Sequence, residues 1–524
     1  MVSVAAVIVT PSSGMGWMVA QSEAQPAQDF DGPRIPTFDT LESLHGALGI
    51  RKSGQPEQHR DHHMTQPTQP KTLVRGLGLV QATSLNMIYM VGIGPFVVIP
   101  FVIQSMGGPQ CLLAWLAGAL LALFDGCIWA ELGAAMPEAG GSYVFLREGY
   151  GREGWGRLMS FMYIWQTLFQ APLVIASGAL GFAGYSRYFA GKWIGVSTMP
   201  SWLDKTYNPL VACAIVMLIV ALLYRRIEVI GKMSVAIWVV VIGTLLWLIW
   251  GGATHFNPKL LAVPTGGWSL SWLFFAGLGH ASVQTVYSYL GYYNVCHLGG
   301  EMKNPERNIP RAIFISIVGI GALYLALQTS ILSVVPWQEA QKSQFVASLF
   351  IERAYGAHWG AVITFLILFI AFGSLFGATV GYSRIPYAAA IDGNFFSVFG
   401  RVHPTKQFPY VSLLALGAAA FVICLLFKLF AVIRAILAMR CLIQFIGQAI
   451  ALIRLRRKGT LAIPFKMWFY PLPVVIAIIG WTGIFISTGL IPILSSLGAM
   501  AAGFLIYMGR AKVQHMWPFE EASA

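Results

Sequence analysis

The sequence predicts an all-α integral membrane protein that crosses the bilayer about twelve times. Three observations carry this. Of 524 residues, 56% are hydrophobic and only 10% are charged, whereas soluble domains carry about 25% charge; so few charges cannot cover a water-soluble globule of this size. Apolar runs long enough to span hydrocarbon, at about 1.5 Å of helix per residue, follow one another from Arg75 onward. The basic residues collect in alternate connectors between those runs, as orientation signals do in a polytopic membrane protein.

The same composition excludes other classes. Disorder requires low hydrophobicity, and a disulfide scaffold requires dense cysteine. The 6 Cys, at positions 111, 127, 213, 296, 424 and 441, have no close pairs and no His partners at zinc spacing. A net charge of +13 would suit nucleic acid if it formed a basic domain, but it is dispersed in short clusters, so no nucleic-acid partner is expected. No P-loop, nucleophile motif or metal cluster is present. The expectation is therefore no catalytic residues, no cofactor and no metal site.

Taken in order, residues 1–70 are rich in Gln, Pro, His and Ser and read as a disordered cytoplasmic tail. Its apolar opening, MVSVAAVIVT, is too short to span and lacks the basic start of a secretory signal; a start codon assigned too far upstream would look the same. Approximate spans follow at 76–106, 109–136, 156–189, 207–224, 230–252, 269–300, 312–335, 357–390, 409–427, 430–453, 471–487 and 489–509. The first, third, sixth and eighth exceed one crossing, so each is expected to tilt, break or extend beyond the membrane. Arg147, Arg152 and Arg157, then Arg225 and Arg226, then Lys303, Arg307 and Arg311, then Arg454, Arg456 and Arg457 mark one side. By the positive-inside rule that side is the cytoplasm and both termini lie there, as an even number of crossings requires. Residues 510–524 form the closing cytoplasmic tail.

Two spans carry interruptions. In the first, Gly92, Gly94 and Pro95 stand together mid-span; proline removes an amide hydrogen and clashes with the preceding turn, and glycine lifts the penalty on non-helical angles. A packing kink is the plainer reading of such a group taken alone. The sixth span adds Tyr287-Ser288-Tyr289-Leu290-Gly291-Tyr292-Tyr293-Asn294 deep inside an apolar crossing. The two interrupted spans are separated by five crossings, so the halves 71–252 and 269–453 enter the membrane with opposite orientation. Matched interruptions in two such halves are the sequence sign of an inverted-repeat transporter, with 471–509 supplying two further helices.

At these residues the chain resembles a known family. The Gly92-Ile93-Gly94-Pro95 run, Ala130-Glu131-Leu132 through Pro137-Glu138-Ala139-Gly140-Gly141-Ser142-Tyr143, Gly300-Glu301-Met302-Lys303-Asn304-Pro305 followed by Ile309-Pro310-Arg311, and Ser383-Arg384 followed by Asp392-Gly393 are similar, in order and spacing, to the amino acid, polyamine and organocation permeases. The resemblance covers roughly residues 71–512. It implies the five-plus-five inverted repeat of the LeuT type, with helices 1 and 6 broken, and secondary transport of a small amino compound by alternating access at the plasma membrane. Carried to matching positions, Gly92, Ile93 and Gly94 would offer backbone amides to the substrate carboxylate, which the positive end of a half-helix also favours. Free carbonyls near Tyr289 and Gly291 would accept the ammonium, the Tyr292 ring would close one side, and Tyr293 stands where many members carry an acid.

Substrate and coupling are read from charge. Neither break contains Asp or Glu, whereas a polyamine needs anionic side chains; an uncharged amino acid fits better, with a cationic one left open and a nutrient sensor of the same fold as a different class. The partners expected are an amino acid, the lipid bilayer and a coupling H+ or Na+. Ser374 and Thr379 are candidate oxygen ligands for sodium, against the plainer reading that membrane hydroxyls bond their own backbone. Asp125, the most central acid, is the candidate proton carrier, against the reading of a hydrogen-bonded helix clamp. Arg440 needs a polar or acidic partner that the sequence does not name. Glu301, Lys303 and Arg311 are candidates for cytoplasmic ion pairs that latch one state, against the default reading of solvated charge.

Overall fold

The structure is a computed structural model that describes residues 73–190, 201–426, 437–459 and 461–519. The tail predicted for 1–70, the beginning of the tenth run and the last residues of the closing tail lie outside the described residues.

The first crossing is broken where its sequence demands. Helix α1 (Leu79–Met90) stops, residues 91–93 leave the helical path, and α2 (Gly94–Met106) restarts with Pro95 in its first turn, where a missing amide hydrogen costs nothing. The two axes differ by 46°. Then come α3 (Leu112–Ala135), α4 (Ser142–Tyr150), α5 (Trp155–Ala190), α6 (Ser201–Leu223) and α7 (Ile227–Thr254). The 36-residue α5 accommodates Pro172 in its interior.

The second half opens with α8 (Trp272–Tyr289), capped by the Ser271 hydroxyl, which accepts from the Phe274 amide at 3.3 Å. After the break, α9 (Asn294–His297) is a single turn, so little of the sixth span beyond its interruption is helical. The remainder is α10 (Pro305–Val334), α11 (Val346–Tyr355), α12 (Ala357–Tyr382), α13 (Arg384–Ile391), α14 (Tyr410–Leu426), a π-helical segment Cys441–Gly447 leading into α15 (Gln448–Lys458), α16 (Leu472–Ser487) and α17 (Leu490–Val513).

Among the described residues, eight helices are long and apolar enough to cross a membrane, and the bent pair α1–α2 makes a ninth. Helices α14 and α16 are apolar but shorter. No strand occurs among the described residues beyond isolated bridges, one of which pairs Leu77 with Met302. Large apolar side chains stay exposed on the outer helices, Leu490, Ile491, Leu494 and Leu505 on α17 among them, as a surface solvated by lipid requires. This is a multi-pass membrane protein.

The two breaks meet inside the bundle. Gly291 has φ +129°, and a Cβ placed there would lie 3.0 Å from both the Met90 amide nitrogen and the Tyr89 ring. Only glycine permits that backbone angle and that approach together. Asn86 of α1 fastens the contact: its Nδ2 donates to the Tyr292 carbonyl at 2.6 Å, and its Oδ1 accepts from the Val295 amide at 2.8 Å. Backbone groups freed by one break are thus satisfied by a side chain beside the other, as burial in hydrocarbon demands.

Candidate functional site

A cavity of about 50 Å³ lies between the breaks. Its walls include Gly92, Ile93 and Gly94 from the first, Tyr287, Ser288 and Leu290 from the second, Val174 and Gly178 of α5, Ser374 of α12, and Arg440. The amides of Ile93 and Gly94 open α2, a helix start whose first amides have no partner within the helix. The first break therefore presents donors and a positive dipole end to the cavity, an arrangement suited to a carboxylate.

Other groups take over the carbonyls that the breaks release. The Tyr324 hydroxyl of α10 stands 2.8 Å from the Met90 carbonyl oxygen and 3.2 Å from that of Ser288, so one donor is shared by the C-terminal ends of both half-helices. The Ser374 hydroxyl donates to the Tyr89 carbonyl at 3.1 Å. The Gly291 carbonyl accepts from the Asn294 amide at 2.9 Å; the chain turns directly into α9, whose first amide takes that oxygen, so it is not free for a ligand.

The predicted residues divide by position. Gly92, Ile93 and Gly94 line the cavity together with Ser374, but the Gly92 amide already donates to the Met90 carbonyl at 3.0 Å, which leaves the amides of Ile93 and Gly94 as the donors of this break. Tyr289 packs behind it against Trp115 and Tyr324, with ring centroids 6.1 and 5.2 Å away. The Tyr292 ring turns from the cavity, and its hydroxyl donates to the buried Asp125 carboxylate. Tyr293 stacks on Trp129 at 4.6 Å, and its hydroxyl accepts from Arg440 Nη1 at 2.7 Å. The Thr379 hydroxyl donates to the Leu375 carbonyl of its own helix at 2.7 Å. Asp125 is thus hydrogen-bonded to the broken segment itself, and Arg440 has the partner that the sequence could not name.

Tyr324, Asn86 and the Tyr89–Tyr382 pair, hydroxyls 2.9 Å apart, were missed. A buried polar residue in an apolar helix was the available signal, but nothing in its spacing says which backbone group it will satisfy.

The ends of the cavity differ. Along α12 and α13 the cavity wall at Ser374 and Ala378 gives way to Tyr382, then to Arg384, which grips Glu301 through Nε and Nη2, both at 2.9 Å. Glu301 is fully buried, so the expectation of solvated charge fails there: its loop folds back onto α1, with the Leu77 amide on the Glu301 carbonyl at 3.0 Å. Lys303 and Arg311 are exposed. Nearby, Glu131 receives Arg456 at 2.5 and 2.6 Å and the Met467 amide at 2.8 Å. Arg147 of α4 contacts Glu138, Glu148 and Asp392; burial opposes its charge, but Asp392 and the two glutamates outweigh burial and raise its pKa above the ordinary arginine value. Ion pairs and tyrosines gather on the basic side, where Arg75, Glu138, Arg147 and Asp392 also line a recess of about 500 Å³. In the other direction, Leu180, Gly181 and Tyr185 on α5, with Val97 and Phe101 on α2, line a recess of about 620 Å³.

A multi-pass bundle with two broken helices facing one buried cavity has the architecture of a membrane carrier. A model of the amino acid permease family matches residues 77–511, and the chain belongs to that family, one of transporters rather than enzymes. It is 27% identical over 394 residues, 74% of its length, to cationic amino acid transporter 4 of Mus musculus, and spans about three fifths (60%) of that protein. It is 27% identical over 355 residues, 66% of its length and 75% of the relative's, to the serine/threonine exchanger SteT of Bacillus subtilis. It is 25% identical over 358 residues, 65% of its length and 72% of the relative's, to the branched-chain amino acid permease BcaP of the same organism.

Proposed function

We propose that the protein is a secondary transporter of amino acids across the plasma membrane, working by alternating access about the central cavity. In this reading it crosses the membrane twelve times as a five-plus-five inverted repeat of the LeuT type plus two helices, with both termini in the cytoplasm. The observation that carries the proposal is the cavity at which the first amides of α2 meet the carbonyl end of α8. One end suits a carboxylate and the other an ammonium, the two charges that every amino acid carries.

The relatives bear names for cationic, hydroxylated and branched-chain substrates. Arg440 on the cavity wall opposes a cationic side chain or a polyamine, and the absence of Asp or Glu from either break favours an amino acid whose side chain is not positive. For coupling, Asp125 is the proposed proton site, because any change in its protonation alters the hydrogen bond that orients Tyr292. Ser374 and Thr379 are the proposed oxygen ligands should sodium drive the cycle; Ser374 is the better placed, at the cavity wall.

Uptake of labelled leucine, serine, lysine, glutamate and putrescine into proteoliposomes, under separately imposed proton and sodium gradients, tests this. Accumulation of at least one amino acid under one gradient, and none of putrescine, is expected. Uptake of putrescine alone would overturn the carboxylate role of Ile93 and Gly94, and unchanged proton coupling in Asp125→Asn would remove Asp125 from the mechanism.

A further inference from the structure

Arg440 is almost wholly buried, and arginine keeps its charge in proteins. A buried cation is costly unless an anion faces it. Among the described residues no carboxylate lies within ion-pair distance of Arg440, since the salt bridges of this half of the bundle use Arg147, Arg384 and Arg456. Asp125, the other central charge, is engaged by Tyr292.

What does surround Arg440 is aromatic. Its guanidinium carbon lies 5.9 Å from the centre of the Tyr293 ring and 5.7 Å from that of Tyr382, within reach of cation–π attraction. Nη1 donates to the Tyr293 hydroxyl at 2.7 Å. Nε and Nη2 have no hydrogen-bond partner. Those two nitrogens form one edge of the planar group, the fork that matches the two oxygens of a carboxylate. The residue lines the cavity and directly precedes the π-helical segment Cys441–Gly447, an irregularity frequent at functional sites. A cation held at a cavity wall by tyrosines, with its bidentate edge unoccupied, is a built anion site.

The α-carboxylate has its own donors at Ile93 and Gly94 in the reading above, on which this inference rests. We propose that Arg440 is a second anion subsite, its Nε–Nη2 edge receiving the side-chain carboxylate of a dicarboxylic amino acid such as glutamate or aspartate. The substrate class then comprises amino acids with a second negative charge, taken in preference to their uncharged isosteres.

Glutamate and glutamine have the same shape and differ in that charge, so their comparison reads the subsite directly. In proteoliposomes carrying the full chain, wild-type kcat/KM for glutamate should exceed that for glutamine by about tenfold or more, the scale of one charge-assisted bidentate contact. Arg440→Gln should raise the glutamate KM about tenfold to a hundredfold, a loss about tenfold or more beyond any seen for glutamine, and erase the preference; Arg440→Lys should restore part of it. Equal handling of glutamate and glutamine by the wild type overturns the proposal while leaving amino acid transport standing. Equal loss of both substrates in Arg440→Gln, with normal membrane insertion, overturns it too, since the arginine would then read the α-carboxylate or hold the fold. Stabilisation of the wild-type protein against heating by glutamate but not glutamine, measured without any variant, must agree; the reverse order counts against the subsite. Failure to bind or carry any amino acid sinks the transport reading itself and this inference with it.

Discussion

A methyl group at Gly92 would sit 2.6 Å from the Ser374 hydroxyl oxygen and 3.0 Å from Ser374 Cβ. The hydroxyl can rotate away, but the Cβ is fixed to α12, so a side chain at position 92 must push the first break off its neighbour. Gly92→Ala should therefore reduce initial uptake severalfold at normal expression. Removing the obstacle should help, so the double variant Gly92→Ala/Ser374→Gly should recover part of the rate in the same assay. No recovery would mean that the close contact with Ser374 is not what the glycine serves. Gly94 differs, since its nearest neighbours, at 3.5 and 3.6 Å, allow a methyl group. The sequence exposes these glycines because their chemistry is that of the backbone: Gly and Pro announce a break wherever they occur. Tyr324 and Asn86 announce nothing. Their role depends on which carbonyl or amide lies opposite, a fact of packing that one helix does not contain.

Among elements, the loop following the second break changed most between sequence and structure. Glu301, Lys303 and Arg311 look alike as charges in a polar connector, yet only Glu301 is drawn inward, to a bidentate pair with Arg384. The distinction was invisible because Arg384 lies 83 residues away. Charge removed from water without a partner is far costlier than the pair. Glu301→Ala should thus lower unfolding free energy in detergent by about 3–5 kcal/mol, and Arg384→Ala by a similar amount, whereas the double variant should lose clearly less than their sum. Simple additivity in chemical unfolding would show that the two residues act independently. The broken elements themselves were legible as positions but not as lengths: the one-turn α9 follows from Asn304 and Pro305 starting α10 soon afterwards, a stop signal that an apolar-run count passes over.

At the scale of the whole molecule, a recess of about 500 Å³ lies on the basic side, among Arg75, Glu138, Arg147 and Asp392, and one of about 620 Å³ lies beside Val97, Leu180 and Tyr185. Sidedness stays a proposal drawn from the basic loops, because it depends on where charge is allowed and not on how side chains meet. The sequence counts twelve crossings, the runs 409–427 and 471–487 among them, whereas over the described residues α14 and α16 are shorter than the helices of spanning length. All 6 cysteines are buried, which makes an introduced thiol the reactive one. Lys342→Cys, at the rim of the larger recess, should react with a membrane-impermeant maleimide on intact cells. Arg457→Cys, in the basic last turn of α15, should react only after permeabilisation. The opposite pattern would reverse the orientation expected from the basic loops.

The bridge between Leu77 and Met302 bears on how such a machine moves. It binds the entry of α1 to the exit of the second broken segment, Asn86 pins the same two chains midway, and Tyr324 clasps them at the cavity. The entry of α1 and the segment after the second break are thus tied at three heights, and the same segment that lies against the cavity carries, at its other end, the Glu301 carboxylate held by Arg384.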